Sequence, residues 1–357
     1  MDGFGSAMKI KGETALVAHQ YAQLMVKRFW LMGGACVALL ISFLLDVATG
    51  PALLSVSQVL TSIFGQSQDV SSQIIVWSIR LPVALTALAV GASLGLSGGL
   101  MQTILNNPLA SSYTLGISAG AGFGAALAIV VGFSLPFAES YAVAANAMLF
   151  AVISCVAVYY LGGIKNSTPE TLVLAGIAIL FLFQALTSLL QLIASPESLQ
   201  QVVFWLFGSL QKSNWSKLAG IALSLAICLP FIWKDVWQLT SLKLGDVKAQ
   251  ALGINVKWLR IKIFVLISIL TGVAVAFVGT IGFIGLVAPH IARMLLGEDQ
   301  RTFLPACAIF GALLLSLASV MSKVVSPGAV FPIGIMTSLV GVPFFMFMIK
   351  SHKRSYW

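Results

Sequence analysis

The stretch RLPVALTALAVGASLGLSGGLMQTILNNPLASSYTLGISAGAGFGAAL, residues 80–127, decides the fold. From Leu81 to Met101 it carries no charge, and a hydrocarbon core about 30 Å thick takes roughly 20 such residues as a helix. Gly91, Gly95 and Gly99 recur at every fourth position, as do Gly116, Gly120 and Gly124. This spacing puts them on one helical face, where a neighbouring backbone can approach closely in lipid. Two tightly packed membrane helices are therefore expected here.

The rest of the chain repeats the pattern. Of its 357 residues 59% are hydrophobic and only 9% charged; a soluble domain carries roughly 25% charged residues. The apolar runs predict an all-α polytopic membrane protein with ten spans, approximately 29–48, 80–101, 113–133, 141–161, 170–193, 216–233, 261–280, 282–296, 303–324 and 333–350. The eighth is short and interrupted by Gly285 and Pro289, which predicts a half-length or broken helix. Residues 51–79 read as too polar to span and as an outer-surface segment, and 197–213 as a short helix near the outer interface. The expected organisation is a polar tail (1–28), a ten-helix domain (29–350) and a short C-terminal tail (351–357). The polar start, with Lys9, Lys11, Lys27 and Arg28 before a long apolar run, predicts a retained first span rather than a cleaved signal peptide. Cys36, Cys155, Cys228 and Cys307 each sit in an apolar run without CxxC spacing, which suggests packing rather than a metal or disulfide framework.

Basic residues orient the spans, because they are retained on the cytoplasmic side. With both termini inside, all 20 Lys and Arg except Arg80, Lys212, Lys217 and Lys323 fall in inner segments. The net charge of +9 is thus a feature of topology, and no soluble basic module for nucleic acid is present. Between the sixth and seventh spans lies KDVWQLTSLKLGDVKAQALGINVKWLRIK, residues 234–262, with two expected short helices. One lies near Leu239–Leu242; the other runs from an Asp246 cap through Leu252 and stops at Gly253. This inner knob is either a docking element for a cytoplasmic partner or a basic loop that fixes topology.

In the fifth span Gln184, Thr187, Ser188 and Gln191 fall at i, i+3, i+4 and i+7, a polar stripe on one helical face. Such a stripe must face protein or water, as pathway lining or as helix-to-helix hydrogen bonds. Gln102, Asn106 and Asn107 gather at the inner end of the second span, suited to a cytoplasmic gate or equally to capping and loop solvation. His290 has no neighbouring His or Cys, so no metal site is expected. No GxxxxGK[ST], HExxH or GxSxG motif occurs, so neither an enzyme nor a bound cofactor is expected. Acids, Asp46 and Glu139 among them, lie at span ends or in loops. A stand-alone secondary transporter usually buries an acid within a span, so an external energy source is expected.

Four stretches in order, 80–127, LGDVKAQALGINV (244–256), GTIGFIGLVAPHIARMLLGEDQR (279–301) and FPIGIMTSLVGVPFFMFMI (331–349), carry a resemblance. Together they resemble the FecCD-type permeases of binding-protein-dependent ABC importers for iron–siderophore complexes, haem and cobalamin. The resemblance implies a subunit of the bacterial inner membrane that translocates a ferric siderophore, or alternatively haem or cobalamin. Alternating access would be powered by separate ATP-binding subunits. It further implies inverted repeats, a second identical or homologous permease subunit, and an extracytoplasmic substrate-binding protein. Within loop 236–260, Leu244, Gly245, Ala249, Leu252 and Gly253 would couple to the ATPase. Arg80 and Lys323 would dock the binding protein, and the fifth-span stripe would line the pathway. Val83, Lys323 and Val330 depart from the family's usual charges at the outer surface.

Overall fold

The computed structural model describes residues 2–50, 54–65, 69–133, 139–163, 168–325 and 330–351. Among these there are helices and connections and no strand. The order is α1 (Asp2–Ala48), α2 (Val56–Ile63), α3 (Val70–Ile74), a π-helical stretch Ile75–Arg80, α4 (Leu81–Ile104), α5 (Ile117–Val131), α6 (Glu139–Gly163) and α7 (Pro169–Ile193). Then follow α8 (Pro196–Phe207), α9 (Trp215–Lys234), α10 (Val236–Leu242), α11 (Asp246–Ala251), α12 (Val256–Val278), α13 (Ile284–Leu296), α14 (Gln300–Val324) and α15 (Ile333–Ser351). Seven helical runs are long and apolar enough to cross a membrane, and three shorter apolar helices, Ile117–Val131, Ile284–Leu296 and Ile333–Phe347, complete the ten expected spans. The outward face of α9 exposes Leu223, Ile227 and Phe231, the surface of a protein solvated by lipid.

Two boundaries differ from the sequence reading. The expected polar tail 1–28 is continuous with the first span, because α1 begins at Asp2; Ser351 ends α15, and the rest of the expected C-terminal tail lies outside the described residues. Residues 70–79, read as a surface segment, belong instead to one helical run, Val70–Ile104. Asp69 caps its start by accepting from the backbone N–H groups of Ser71 (3.0 Å) and Ser72 (3.2 Å), while Arg80 is satisfied inside the protein and so does not end the run.

The bundle has two ends. The loop end carries α10, α11 and the turn between α13 and α14. The cavity end carries α2, α8, the start of α9 and the final turns of α1, α12 and α14. The chain returns from α12 to α13 through a non-helical stretch, Gly279–Phe283, so α13 reaches only part-way through the bundle. Irregular backbone at this depth needs partners inside the protein: Gly279 N–H donates to Val275 O (2.8 Å), Phe283 O accepts from Val287 N–H (2.8 Å), and the Thr280 hydroxyl ties the stretch to Leu206 O.

At the centre α4 lies directly on α14. A Cβ on Gly91 would meet the backbone of Gly311 and Ala312, one on Gly95 would strike the Cys307 carbonyl, and one on Gly99 would lie 2.8 Å from Cys307 Sγ. The second glycine series does the same against α6, with Gly120 on Phe150 and Gly124 on Asn146. Overpacking a tight contact costs about 1–3 kcal/mol. Gly95→Leu is expected to lower the thermal midpoint and the monodisperse fraction of purified protein in detergent. Gly33→Leu, where no atom lies within 4 Å, is expected to leave both unchanged.

Candidate functional sites at the two ends of the bundle

At the loop end, α10 and α11 form a knob. Leu244, Val247 and Leu252 are exposed there, with Val247 at 80%, beyond the end of the apolar spans. Exposed apolar side chains in a watery region mark a surface that a partner covers. Gly245 (φ +96°) and Gly253 (φ +83°) turn the chain at either side of α11, a conformation that suits glycine. Ala249, placed by the resemblance on the contact surface, is fully buried and seats α11 on the bundle. Asp246 also differs from expectation: it starts α11 without capping it, and its carboxylate accepts instead from Arg260, at 2.8 Å from Nη1 and 2.9 Å from Nη2. Val247 escaped the sequence reading, although an apolar residue between Asp246 and Lys248 was the available signal.

The three polar residues at the end of the second span part company. Gln102 is fully buried and accepts from Arg293 Nη2 at 2.8 Å. Asn106 takes a left-handed conformation (φ +43°) and is exposed. Asn107 Oδ1 accepts from Leu109 N–H at 2.9 Å, so these two build the turn after α4. Nearby, Glu298 accepts from both Lys243 (3.1 Å) and Arg293 (2.8 Å). Burial raises the Glu298 carboxyl's pKa, but Lys243 and Arg293 together hold it below the usual carboxylate range.

At the cavity end Arg80 and Lys323 turn inward. Arg80 Nη1 donates to the carbonyls of Val47 (3.0 Å) and Ala48 (2.8 Å), closing the C-terminus of α1. Lys323 Nζ donates to Asp46 Oδ1 (2.7 Å) and Asp46 O (2.9 Å), and Ser319 donates to the same carboxylate (2.8 Å). The Asp46 and Lys323 side chains are 0% and 5% exposed. The physical reason is the dielectric: a cation at the edge of an apolar bundle is held by the nearest unpaired helix carbonyls and carboxylate. Neither residue presents its charge to the outside in this arrangement. Val83, one of the departures from the family's usual outer charges, lies in the core.

A cavity of about 560 Å³ opens at the same end, between α8, the start of α9, and the ends of α12 and α14. Its polar lining includes Gln200, Gln201, Gln211, Lys212 and Lys217, and none of the lining residues is acidic. Val330 also lines it. The fifth-span residues do not: Thr187 is buried and donates to Phe183 O within its own helix (2.7 Å), while Gln184 and Ser188 are exposed on the protomer's flank and Gln191 is half-buried. Lys212 and Lys217 escaped the sequence reading as site residues. The available signal was that they are two of the four basic residues on the side otherwise poor in them.

Among the described residues no group of three or more His, Cys, Asp or Glu is arranged to hold a metal ion. The FecCD transport family matches residues 38–351, almost all of the bundle just described. The chain belongs to that family. Among relatives of this FecCD chain, the molybdate import system permease protein MolB of Haemophilus influenzae is 34% identical, over 91% of this chain and 96% of its own. The Fe(3+)-citrate import system permease protein YfmE of Bacillus subtilis is 34% identical, over 89% and 94%. A solved structure described as an inward-facing conformation of a metal-chelate type ABC transporter superposes with a TM-score of 0.80 at 34% identity, covering 90% of this chain and 99% of that one. This FecCD chain is therefore a membrane-embedded ABC-importer permease. Removing one partner of a buried ion pair costs about 3–5 kcal/mol, and removing both costs far less. Thermal unfolding in detergent is expected to show a clear loss for Lys323→Met and recovery of most of it in Lys323→Met with Asp46→Asn.

Proposed function

We propose that this permease carries an anionic metal chelate, a ferric siderophore first among them, across the bacterial inner membrane. The observation that carries this reading is the cavity: two lysines and several amides line it, with no acid, at the end of the bundle opposite the knob. Pockets of about 300–1,000 Å³ hold ligands of this size class. The relatives named above are described as importing ferric citrate or molybdate, both anions, which suits the lysines; a corrinoid cargo without net negative charge gains nothing from them.

In this reading the knob faces the cytoplasm, as do both termini, and separate ATP-binding subunits cover Leu244, Val247 and Leu252. A substrate-binding protein delivers cargo at the cavity end. Arg80 and Lys323 serve docking indirectly, by holding the end of α1 in place. A second permease subunit covers the flank of α7, since Gln184 and Ser188 stand exposed among Phe181, Leu182 and Leu189 at membrane depth and polar groups facing hydrocarbon are costly. The pathway then runs between two subunits, past these residues.

The test is reconstitution in liposomes with the ATP-binding subunits and the binding protein. Uptake of a ferric chelate is expected to require ATP; uptake that persists without it sinks the importer reading. Lys212→Glu with Lys217→Glu is expected to lower uptake of an anionic chelate by at least about tenfold, roughly 1.4 kcal/mol, and to leave a neutral chelate unaffected. Equal losses for both cargoes would remove charge as the basis of selection.

A further inference from the structure

The knob at the loop end is tied to one helix terminus by two separate ionic arms. The first starts at Lys243, which follows α10 and precedes the exposed tip. Lys243 Nζ donates to Glu298 Oε1 (3.1 Å); Arg293 Nε donates to the same oxygen (2.8 Å); and Arg293 Nη2 donates to Gln102 Oε1 (2.8 Å) in the last turns of α4. The second starts at Asp246, the first residue of α11. Its carboxylate takes both terminal nitrogens of Arg260, whose Nε donates to Ile104 O (3.2 Å), the last residue of α4. Each helix of the knob thus reaches the segment Gln102–Ile104 through a carboxylate and an arginine, although the knob lies more than a hundred residues further along the chain.

The surroundings stiffen the first arm. Glu298 lies in the turn between α13 and α14, and its carbonyl accepts from Gln300 Nε2 (3.1 Å), while Gln300 Oε1 accepts from Thr103 (3.2 Å). Gln102, Thr103 and Gln300 are fully buried. Arg293 also lies over the ring of Phe303, 5.3 Å from its centroid. Lys243 and Arg293 are largely buried (15% and 18% exposed) and converge on one oxygen of the half-exposed Glu298 (49%), while Arg260 holds Asp246 bidentately. Charge-assisted bonds of this kind fix relative geometry, so a shift of the knob moves these groups or breaks the bonds.

We propose that Glu298 is a positioning residue of the transport cycle, one that transmits movement of the knob through Arg293 to the end of α4, with Asp246 and Arg260 as a parallel arm. This rests on the reading that the knob docks an ATP-hydrolysing partner. Wild-type complex settles that reading first: if this chain binds no ATP-binding subunit or transports without ATP, the proposed function fails before Glu298 is tested.

With that established, ATP hydrolysis and cargo uptake are measured together in liposomes for the whole complex. Glu298→Gln keeps the shape and removes the charge. It is expected to leave basal ATP hydrolysis within about twofold and to lower cargo moved per ATP by about tenfold, with Glu298→Asp recovering much of the ratio. Residues in one chain of contacts are non-additive and separate chains add. Lys243→Met with Glu298→Gln is therefore expected to be no worse than Glu298→Gln alone, and Asp246→Asn with Glu298→Gln to compound. An unchanged ratio in Glu298→Gln, or equal loss in the Gln and Asp variants, overturns the proposal. So does a parallel fall of hydrolysis and uptake in variants whose thermal midpoint matches wild type.

Discussion

The contact of α4 with α14, backbone on backbone, is the constraint from which the rest of the arrangement follows. In lipid there is no hydrophobic drive to bring helices together, since the solvent is as apolar as the side chains, so association depends on close approach and on dispersion over short distances. Gly91 and Gly95 face Gly311 and Cys307, with no space for a single methyl group between them. α4 is consequently buried around nearly its whole circumference, from Leu81 to Ile104, and the outer helices α7 and α9 present exposed apolar faces in its place. Hydroxyls on this central pair also tie in the neighbouring helices: Ser97 of α4 accepts from Thr271 of α12 (3.1 Å), and Ser316 of α14 accepts from Ser42 of α1 (2.8 Å).

The second constraint is that charge inside such a bundle must be paired. Among the described residues Arg80, Lys212, Lys217 and Lys323 are the basic residues at the cavity end, and the structure gives each a reason to be there. Two close the end of α1, where Val47 and Ala48 leave carbonyls without helical donors. Two line the cavity. Asp46 likewise reads in the sequence as an acid at the end of a span and proves to be a fully buried partner of Lys323.

This separates what the sequence discloses from what it withholds. The glycine spacing disclosed the central contact, because a four-residue period fixes a helical face whatever that face meets. The knob was legible in outline for the same reason, from local start and stop residues. The direction of Arg80 was not legible, since it depends on where α1 ends, more than thirty residues earlier in the chain. The polar stripe on α7 was legible as a face but not as a function: Thr187 uses its hydroxyl on its own helix while Gln184 and Ser188 point away from the protomer. The cavity was invisible because seven helices and the loops between them supply its wall, and no local period marks such a convergence.

Taken together, these contacts make α1, α4 and α14 a single stiff unit spanning both ends. α14 holds α1 through Ser316, Ser319 and Lys323, lies on α4 through Cys307 and Gly311, and meets the end of α4 again where Gln300 accepts from Thr103. Touching backbones leave no slack, and packed interfaces shift between discrete arrangements rather than deform continuously. A displacement applied to the end of α4 therefore cannot be absorbed along its length and reaches the cavity end as a tilt of the whole unit. Helical regularity breaks beside it, in the non-helical stretch Gly279–Phe283, where Phe283 sits at φ +66° and α13 begins. That stretch borders the cavity through Gly279 and joins the half-helix bearing Arg293, so this non-helical joint lies between the charge network at one end and the cavity at the other.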